Sequence, residues 1–459
     1  MEGPAVENVE LSMEATLTTD LKALVQEKGI EYFLSSFVEM SGIPKAKLVP
    51  ATALDDMVSE GAGFAGFAAG NVGQGPHDPD LVSVPDMQSM IVLPWRKNIA
   101  WVPGMLQVEN QPSKYCPRRI LAHQLEIGRQ HGYDLMVGVE PEFMLLKRGQ
   151  DGSCLSWDAM DNAAKPCYDM RSLNRNLDLL TRLVGYMQEL GWEPYAADHE
   201  DANCQFEINW KYADALTTCD RQIFYKWMVK ILAEEQGLLA TFMPKPFANL
   251  TGNGSHCHLS LSDSSSKKNL FLSADDPIGL SAEGRWFIGG MLKHAPALSA
   301  ILAPTVNSYK RLIRGRPRSG ATWAPVYITY GSANRTQMIR VPGPGRIENR
   351  MVDAAANPYL ACAAMLAAGL DGIDHKIDPG VPSHDNLYEV PWEELHARGI
   401  GHLPATLQAA IEALSQDELV RNALGAEYAD YYIQVKTVEW ESYHNSVSQW
   451  ELDHYLNVH

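Results

Sequence analysis

The stretch LMVGVEPEFMLL, residues 135–146, places two glutamates, Glu140 and Glu142, inside a run of apolar residues. Successive side chains of a β-strand point to opposite faces, so residues two apart share a face. If this stretch is a strand, both carboxylates point the same way, and they repel each other unless a cation or a proton lies between them. The sequence therefore suggests a cation site on one face of a sheet.

Three further strand candidates also carry polar side chains on one face. These positions are Gln205, Glu207 and Asn209 in NCQFEINW (203–210), His256, His258 and Ser260 in GSHCHLSL (254–261), and Arg346, Glu348 and Arg350 in GRIENRM (345–351). The alternative is the wet face of an ordinary antiparallel sheet. A solvated face would be rich in Lys, Thr and Ser, whereas these faces carry Glu, His and Arg. Four such faces together favour a polar site.

The residue types indicate the chemistry of that site. Carboxylates with one histidine suit Mg²⁺ or Mn²⁺ better than zinc. With Glu200 from DHEDAN (198–203) there are enough ligands for two divalent ions. Two metal ions and several arginines are typical of phosphoryl transfer from a nucleotide. The chain contains no GxxxxGK[ST] motif and no convincing GxGxxG, so a P-loop or Rossmann site is not expected.

Composition excludes several classes of protein. The 459 residues include 38 Lys+Arg and 56 Asp+Glu, so the net charge is 38 − 56 = −18, and no basic run is available for nucleic acid. Seven scattered cysteines without a C-x-x-C pair indicate reduced thiols. No signal peptide and no apolar run of the ~18–20 residues that a membrane span needs are recognisable. We therefore expect a cytoplasmic protein with no nucleic-acid or membrane partner.

The chain is predicted to have an α+β fold in three parts. Residues 1–15 form a tail, residues 16–112 a small β-rich domain and residues 113–459 a catalytic domain. The stretch GAGFAGFAAGNVGQGPHDPD (61–80) is predicted to be a loop, because it is rich in glycine. Hydrophobic spacing predicts helices at 19–28, 117–132, 172–190, 220–236, 357–373 and 425–450, and catalytic-domain strands at 135–147, 193–198, 204–210, 239–244, 255–262, 324–330 and 346–351.

These motifs resemble those of the glutamine synthetase superfamily, in family order and over roughly residues 18–455. They are GVEPEF (138–143), HEDANCQFEIN (199–209), TFMPKP (241–246), GNGSHCHLSL (252–261), PTVNSYKRL (304–312), ANRTQMIRVP (333–342), RIENR (346–350) and AANPYLACAAMLAAGLDGI (355–373). The resemblance implies an N-terminal β-grasp-like domain and a catalytic domain with a curved antiparallel sheet that forms a funnel. It also implies ring-shaped oligomers, usually homododecamers, with active sites between subunits.

The resemblance also implies roles for individual residues. Glu142, Glu200 and Glu207 would hold one Mg²⁺ or Mn²⁺, and Glu140, His256 and Glu348 a second. Arg311 would clamp the α-carboxylate of glutamate, with Gly252 and His258 contacting the same substrate. Arg335, Arg340 and Arg350 would neutralise the transferring phosphoryl group and the γ-carboxylate. The nucleotide, ATP, would contact Ser260, Arg340, Arg346 and Lys245.

The chain departs from glutamine synthetases at two positions. Where that family has an Asp in F-D-G-S-S, this chain has Ala65, and where the Y-E-A-P flap has a Glu, it has Trp323. Those two carboxylates hold and deprotonate ammonium. A pocket of Phe64, Ala65, Phe67 and Trp323 cannot capture a compact hydrated cation without a costly desolvation, but it would accept an amine that carries an alkyl or aryl group.

This pattern resembles the γ-glutamylamide ligases of the superfamily, which use methylamine, isopropylamine or aniline. The expected activity is ATP-dependent joining of the γ-carboxylate of glutamate to an organic amine through γ-glutamyl phosphate. An alkylamine has a pKa near ~10.4, arrives protonated and needs a base, whereas an arylamine arrives neutral. The missing carboxylates therefore slightly favour a weakly basic amine.

Two other functions and one possible modification stay open. The first alternative is a glutamine synthetase that uses ammonium, and the second is a non-catalytic relative, which the six retained ligands disfavour. A metallohydrolase has less support, because the arginines fit phosphoryl transfer better than activation of water. Tyr388 in NLYEVP matches a tyrosine that some bacterial glutamine synthetases adenylylate, although an ordinary loop tyrosine explains it as well.

Overall fold

The computed structural model describes residues 21–313 and 323–458. The predicted tail, residues 1–15, and part of the SGATWAP loop lie outside the described residues. Within the described residues the chain forms two compact units. One comprises the described part of Met1–Arg119 with Glu189–Gly191, and the other comprises Ile120–Gln188 with Trp192–His459. The change between units falls within a helix, a few residues beyond the boundary predicted at 112/113.

The N-terminal unit is built on a seven-stranded mixed sheet with the order β2-β1-β6-β4-β3, in which β5 and β7 also pair with β6. Its first helix covers residues 21–27 (α1). The other elements are β1 (Tyr32–Val38), β2 (Pro44–Pro50), α2 (Leu54–Glu60), β3 (Ala62–Phe64), α3 (Gly66–Ala69), β4 (Leu81–Pro85), β5 (Ile91–Val92), β6 (Ile99–Val108) and β7 (Gln111–Pro112). β1 and β6 run parallel, and fully buried Phe33 and Phe37 of β1 anchor two apolar clusters.

The glycine-rich stretch 61–80 corrects one expectation. Predicted to be a loop, it contains β3 and α3. β3 pairs with β4 in register from Ala62 opposite Ser83 to Phe64 opposite Leu81. Gly66 is required for close packing, because a Cβ there would lie 1.6 Å from the side-chain oxygen of Gln74. The glycines here allow tight packing and do not prevent regular structure.

The second unit carries two more sheets. A five-stranded sheet has the order β10-β9-β12-β11 with β14 on β9, and a seven-stranded sheet has the order β13-β8-β15-β18-β17-β16-β19. The strands are β8 (Tyr133–Pro141), β9 (Phe143–Arg148), β10 (Cys154–Ser156), β11 (Pro194–His199), β12 (Gln205–Trp210), β13 (Ala213–Asp214), β14 (Leu239–Thr241), β15 (Ser255–Asp263), β16 (Tyr327–Ser332), β17 (Gln337–Gly343), β18 (Arg346–Asn349) and β19 (Gly401–His402). The α+β class expected from the sequence is confirmed. The large sheet is mostly antiparallel, as expected, but β16 and β17 run parallel.

Helices cover the sheets and form most of the remaining core. They are α4 (Pro117–Gln130), α5 (Met170–Arg175), α6 (Leu177–Glu189), α7 (Ala215–Glu234), α8 (Ala282–Lys293), α9 (Ala295–Leu302), α10 (Ser308–Arg311), α11 (Pro358–Asp374), α12 (Trp392–Ala397), α13 (Leu407–Gln416), α14 (Glu418–Leu424), α15 (Ala426–His444) and α16 (Gln449–Tyr455). α11 is apolar on almost every side and buried along nearly its whole length, as a central core helix should be. Among the described residues, no helix has both the length and the apolar character needed to cross a bilayer.

The predicted strand 135–147 is two strands in different sheets. β8 ends at Pro141, β9 begins at Phe143, and Glu142 lies at the corner between them. The backbone N–H of Glu142 donates to the carbonyl of Gly254 at 3.1 Å. Period two therefore does not by itself explain the placement of Glu142, because a change of sheet interrupts the alternation next to Glu140.

Candidate active site

The centre of the site is a row of charged side chains across four neighbouring strands. His256 on β15 lies opposite Glu140 on β8, and His258 lies opposite Glu348 on β18. Glu348 in turn lies opposite Arg340 on β17. Directly opposed residues of antiparallel strands have Cβ atoms about 4.5–5.5 Å apart, so the register alone brings these five side chains together.

The distances within the row are those of a tight cluster. The Nδ1 atom of His256 lies 3.6 Å from Oε2 of Glu140 and 3.8 Å from Oε1 of Glu348. The Nε2 atom of His258 lies 2.9 Å from Oε1 of Glu140, and Nδ1 of His258 is buried without a hydrogen-bond partner among the described residues. Nδ1 of His256 thus lies near two carboxylates, and Nδ1 of His258 is available to bind a ligand.

Glu142 joins this cluster from the corner between the sheets. Its Oε2 accepts from the backbone N–H of Gly254 at 2.7 Å and from Nε2 of Gln205 at 3.1 Å. Its Oε1 lies 4.0 Å from Nδ1 of His256. These contacts fix one oxygen of the carboxylate and direct the other toward His256, so the predicted convergence of Glu140 and Glu142 exists although they are not on one strand.

Glu200 and Glu207 complete the acidic part of the site. Glu207 lies on β12, is 7% exposed and accepts from Nδ2 of Asn209 at 2.8 Å. Burial, together with the charges of Glu142 and Asp198, raises the pKa of Glu200 to about 8. Burial and the charges of Glu140, Glu200 and Glu142 raise the pKa of Glu207 well above its usual range. These carboxylates therefore repel one another within the protein.

The acidic cluster has the features of a site for divalent cations. Carboxylate oxygens and a neutral imidazole are the donors that Mg²⁺ and Mn²⁺ accept, and a cation among them relieves like-charge repulsion. Burial and nearby Arg350 lower the pKa of His256, which favours its neutral, ligating form. Within the described residues, two trios have ligand atoms within 4.8 Å of one another, namely Glu140, Glu207 and His256, and Glu140, His258 and Glu348. The donor set fits.

Opposite charges hold two of the glutamates ionised. Burial alone would raise the pKa of Glu140, but hydrogen bonds from His256 and His258 bring it well below its usual range. Burial would likewise raise the pKa of Glu348, but Arg350 and the two histidines lower it to about 2. The site thus contains two carboxylates fixed as anions beside two whose charge is opposed by their neighbours.

Arginines approach the acidic cluster from one side. Fully buried Glu348 binds Nη1 of Arg350 at 2.5 Å and Nη1 of Arg340 at 2.7 Å. The Nε atoms of both arginines are buried without partners among the described residues. Arg346, at the start of β18, is exposed, and so is Arg335, between β16 and β17. In residues 21–313 and 323–458 no ion pair joins Arg335 to the cluster.

Arg311 lies beside two glycines. Its guanidinium donates to the carbonyls of Met351 at 3.1 Å and Arg350 at 2.9 Å. A Cβ on Gly252 would lie 2.2 Å from the carbonyl oxygen of Pro244, and a Cβ on Gly254 would lie 3.0 Å from Nη2 of Arg311. Gly252 therefore allows the close approach to the backbone of Pro244, and Gly254 allows the close approach to the guanidinium.

Lys245 and Ser260 lie in different surroundings, although both were predicted to be near the nucleotide. Lys245 is buried, and its ammonium donates to the carbonyl of Leu250. Burial and the charge of Arg311 lower the pKa of Lys245, which indicates its closeness to Arg311. Ser260 lines a cavity of about 540 Å³. The other residues that line this cavity are Arg129, Asp134, Met136, Tyr212, Asp214, Ser262, Lys267 and Asn269.

The residues predicted for the amine pocket belong to different units, each described by itself. In the N-terminal unit Phe64 is 9% exposed and packs edge-on against Phe37 at 5.0 Å, whereas Phe67 is 54% exposed. Ala65 is exposed and precedes α3. In the second unit Trp323 is 45% exposed and is a hydrogen-bond donor to the carboxylate of Asp201.

Sequence reasoning missed the acidic residues around Glu200. Burial and the charges of Glu140 and Glu142 raise the pKa of Asp198 to about 6. Fully buried Asp161 contacts Nε2 of His199 at 2.6 Å and accepts from the N–H of Cys204 at 2.6 Å, which fixes the turn that carries Glu200. The run DHEDAN was a visible signal for Asp198 and Asp201, whereas Asp161 is remote in sequence and gave none.

The hydroxyl of Tyr388 forms a hydrogen bond within the protein. The group donates to the carbonyl of Ala324 at 2.9 Å. Burial raises the pKa of Tyr388 above its usual range. The contact ties the turn at Asn386–Glu389 to the residue that follows Trp323.

Comparison with known proteins gives a consistent result. The family model described as glutamine synthetase, catalytic domain, matches residues 114–455. A protein named glutamine synthetase from Rhizobium leguminosarum bv. phaseoli is 46% identical over 442 residues, which cover 96% of this chain and 100% of that protein. A glutamate–methylamine ligase from Methyloversatilis universalis is 44% identical over 441 residues, 95% of this chain and 99% of that protein.

A solved structure agrees with these relatives. The complex of GmaS with ADP superposes with a TM-score of 0.89 and 46% identity, covering 95% of this chain and 99% of that chain. The relative named glutamine synthetase and the relative named glutamate–methylamine ligase thus have almost the same identity to this chain. Overall similarity does not decide between the two amines, so the choice depends on the residues of the site.

Proposed function

The chain belongs to the glutamine synthetase family, and from this premise we propose that it is an ATP-dependent ligase that joins the γ-carboxylate of L-glutamate to a small organic amine. The observation that carries the proposal is the combination of the acidic cluster, with Arg340 and Arg350 bound to it, and Trp323, a hydrogen-bond donor to Asp201, where the family has a carboxylate. The cluster supports phosphoryl transfer, and the tryptophan supports an amine larger than ammonium.

The proposal includes two divalent metal ions, Mg²⁺ or Mn²⁺. Glu142, Glu200 and Glu207 would hold one, and Glu140, His256 and Glu348 the other. The ions would supply electrostatic stabilisation for the phosphoryl group as charge moves from the attacking oxygen to the leaving oxygen. The raised pKa values of Glu200 and Glu207 support this assignment, because no basic side chain among the described residues is ion-paired with either carboxylate.

The protein's own cations would bind the two anionic substrates. Arg311, with Gly252 beside it and His258 in the row, would bind glutamate. The Gly252 loop lies close to Arg311, since a Cβ on Gly252 would lie 3.2 Å from Cγ of Arg311. Arg350 would contact the γ-carboxylate, and Arg335 would contact the phosphoryl group. The remaining predicted nucleotide contacts are Ser260, Arg340, Arg346 and Lys245. For Lys245, burial near Arg311 also permits a role at the glutamate end.

The reaction has two steps. An oxygen of the γ-carboxylate attacks the γ-phosphorus of ATP, the bond from that phosphorus to the β-γ bridging oxygen breaks, and ADP leaves with the electron pair. The amine nitrogen then attacks the acyl carbon, the bond from that carbon to the phosphate oxygen breaks, and phosphate leaves. One proton is lost from a neutral amine, or two from an ammonium ion, as the amide forms. ATP drives an amide bond that would not form in water.

The amine is proposed to be organic because two positions lack charge. Ala65 and Trp323 replace the carboxylates that would capture ammonium, and Phe67 offers an exposed apolar ring. Phe64 would support the same pocket from the core of its unit. The alternative, a glutamine synthetase that uses ammonium, is favoured by the 46% identity to the Rhizobium protein of that name.

The decisive experiment measures phosphate release from ATP with glutamate and Mg²⁺ for separate amines. Ammonium, methylamine, ethylamine, isopropylamine and aniline are compared, and each product is identified by its mass. An organic amine preferred over ammonium by orders of magnitude in kcat/KM is the expected result. A preference for ammonium would make the protein a glutamine synthetase with an unusual ammonium site.

We also propose a homododecamer in the cytoplasm, with each active site completed by a neighbouring subunit. Exposed apolar residues at the end of the chain support an assembly: Val447, Trp450, Leu452, Tyr455, Leu456 and Val458. ATP and glutamate as substrates, and seven free cysteines, support the location.

A further inference from the structure

The carboxylate of Asp201 lies where three segments meet. Asp201 directly follows Glu200 in the turn between β11 and β12, and its backbone N–H donates to Oε2 of Glu200 at 3.1 Å. Its Oδ2 lies 3.4 Å from the hydroxyl of Thr251, which precedes Gly252. Trp323 supplies a further donor. The carboxylate is therefore anchored between a proposed metal ligand, the proposed glutamate loop and the tryptophan that replaces the flap glutamate.

The substrate needs a negative charge at this place. A primary alkylamine has a pKa near that of lysine, about 10.4, so it reaches the enzyme as an alkylammonium ion. Its N–H groups need acceptors. The indole N–H of tryptophan can only donate, and its ring face attracts a cation less strongly than a carboxylate does. Trp323 alone therefore cannot replace a carboxylate for a charged amine.

We propose that Asp201 binds the ammonium head of a small primary alkylamine while the ring of Trp323 packs against its alkyl group. The assignment rests on the proposed ligase function and narrows the substrate from organic amines in general to amines that are protonated at neutral pH. In the sequence, the two missing carboxylates slightly favoured a weakly basic amine. Asp201 supplies a carboxylate from a different segment, so a strongly basic alkylamine is favoured instead. A neutral arylamine gains nothing from it.

The arrangement of contacts explains why Asp201 suits this role. Thr251 and Trp323 hold the carboxylate in place and leave acceptor capacity on its two oxygens, since an ionised carboxylate accepts about four hydrogen bonds. Asp201 is only partly buried, so its carboxylate remains accessible to a substrate. The hydrogen bond from Trp323 also holds the carboxylate, which would bind the ammonium group, next to the indole ring, which would contact the alkyl group.

The test compares a charged and a neutral amine of similar size. Asp201→Asn keeps the size of the side chain and an acceptor oxygen but removes the charge. Methylamine is protonated at neutral pH, whereas hydroxylamine is neutral. With saturating glutamate, ATP and Mg²⁺, the variant should lose about 10- to 100-fold in kcat/KM for methylamine, as expected for a hydrogen bond to a charged group. Its kcat/KM for hydroxylamine should stay close to that of the unaltered protein.

The controls separate this role from an effect on the metal site. The KM for glutamate and the affinity for Mn²⁺ should not change in Asp201→Asn, although Glu200 is its neighbour. Glu193→Gln removes an exposed carboxylate that pairs with Lys211 at the start of β11, and both amines should react as before. Equal losses for both amines, weaker Mn²⁺ binding, or no loss for methylamine would each overturn the assignment. If the unaltered protein formed no γ-glutamyl product with either amine, the ligase function itself would be wrong.

Discussion

Glu348 has more basic side chains around its carboxylate than any other site residue described above. It is fully buried, binds Arg340 and Arg350, and lies opposite His258. Removing the carboxylate takes away a proposed metal ligand and also leaves buried Arg350 and partly buried Arg340 without their anionic partner. An amide of the same size also removes the charge but keeps the packing, so the difference between the amide and alanine variants isolates the contribution of packing.

Replacement of Glu348 should therefore abolish activity. Glu348→Gln and Glu348→Ala should both lower kcat by at least about 100-fold, because each loses the charge that stabilises the phosphoryl transition state. Both variants should also lower the free energy of unfolding by about 3–5 kcal/mol, the usual cost of breaking a buried ion pair, and Glu348→Ala should lower it further because it leaves a cavity. Phosphate release and thermal unfolding measure the two effects. Turnover retained in Glu348→Gln would contradict the metal assignment.

The two lost carboxylates predict a switch of substrate. Restoring them together, as Ala65→Asp with Trp323→Glu, should raise kcat/KM for ammonium relative to the preferred amine by about tenfold or more, since a charged contact contributes about 1.5–3 kcal/mol. The matched control is Ala68→Asp with Trp392→Glu, which adds the same charges at exposed positions outside the proposed pocket. A ratio unchanged from the control would mean that the pocket is assigned wrongly.

Single residues show what the sequence could and could not predict about the site. His256, His258 and Glu348 were placed on shared faces by period two, and the register of β8, β15 and β18 brings them together. Asp161 could not be found in this way, because its contact with His199 joins positions 38 residues apart. Asp201 was visible in DHEDAN, but its proposed role in binding the amine follows only from its contacts with Thr251 and Trp323.

Among the helices, His294 joins three elements through charge. It follows α8, its Nδ1 lies 2.6 Å from Asp417 at the start of α14, and its Nε2 lies 3.0 Å from Asp371 on α11. Lys293 and His375 also contact Asp371, at 2.8 and 3.0 Å. Burial alone would lower the pKa of His294, but the hydrogen bonds that its ring donates to Asp417 and Asp371 raise it above 6.5. The helices are thus stabilised most when His294 is charged.

This cluster predicts a dependence of stability on pH. The contribution of His294 is fully present below about pH 6.5 and is lost as the pH rises through its raised pKa. The contributions of Asp371 and Asp417, whose pKa values are lowered by His294 and other donors, are present above about pH 4 and lost as the pH falls further. His294→Asn should therefore lower Tm more at about pH 5.5 than at about pH 8.5. The exposed His384→Asn is the control, and an equal drop in Tm at both pH values would contradict the prediction.

Secondary structure was predicted best where one pattern continued without interruption. The helices at 220–236 and 357–373 correspond to α7 and α11, because long apolar periodicity is hard to misread. The strand at 135–147 was wrong in one respect, because it changes sheet at Glu142. The loop at 61–80 was wrong because glycine was taken as a breaker, whereas Gly66 provides room for Gln74. Both errors concern contacts between segments that local patterns do not contain.

For the whole molecule, charge and apolar surface act in opposite directions. A net charge of −18 on each chain disfavours association. The C-terminal helix α16 nevertheless leaves Trp450 57% and Leu456 67% exposed, and a capping box of Ser448 and Glu451 shows that the segment is a defined helix. Exposed apolar residues at one terminus are more typical of an interface than of a solvated end.

Removal of this apolar segment should break the proposed assembly. Deletion of residues 447–459 should convert a complex of about twelve chains into smaller species, because the apolar area it would bury is lost. Light scattering measures the mass, and phosphate release at the same protein concentration measures activity. Since the sites are proposed to lie between subunits, activity should fall together with mass. Glu427→Gln on the exposed side of α15 is the control, and a deletion variant that kept its full mass would exclude this segment as the interface.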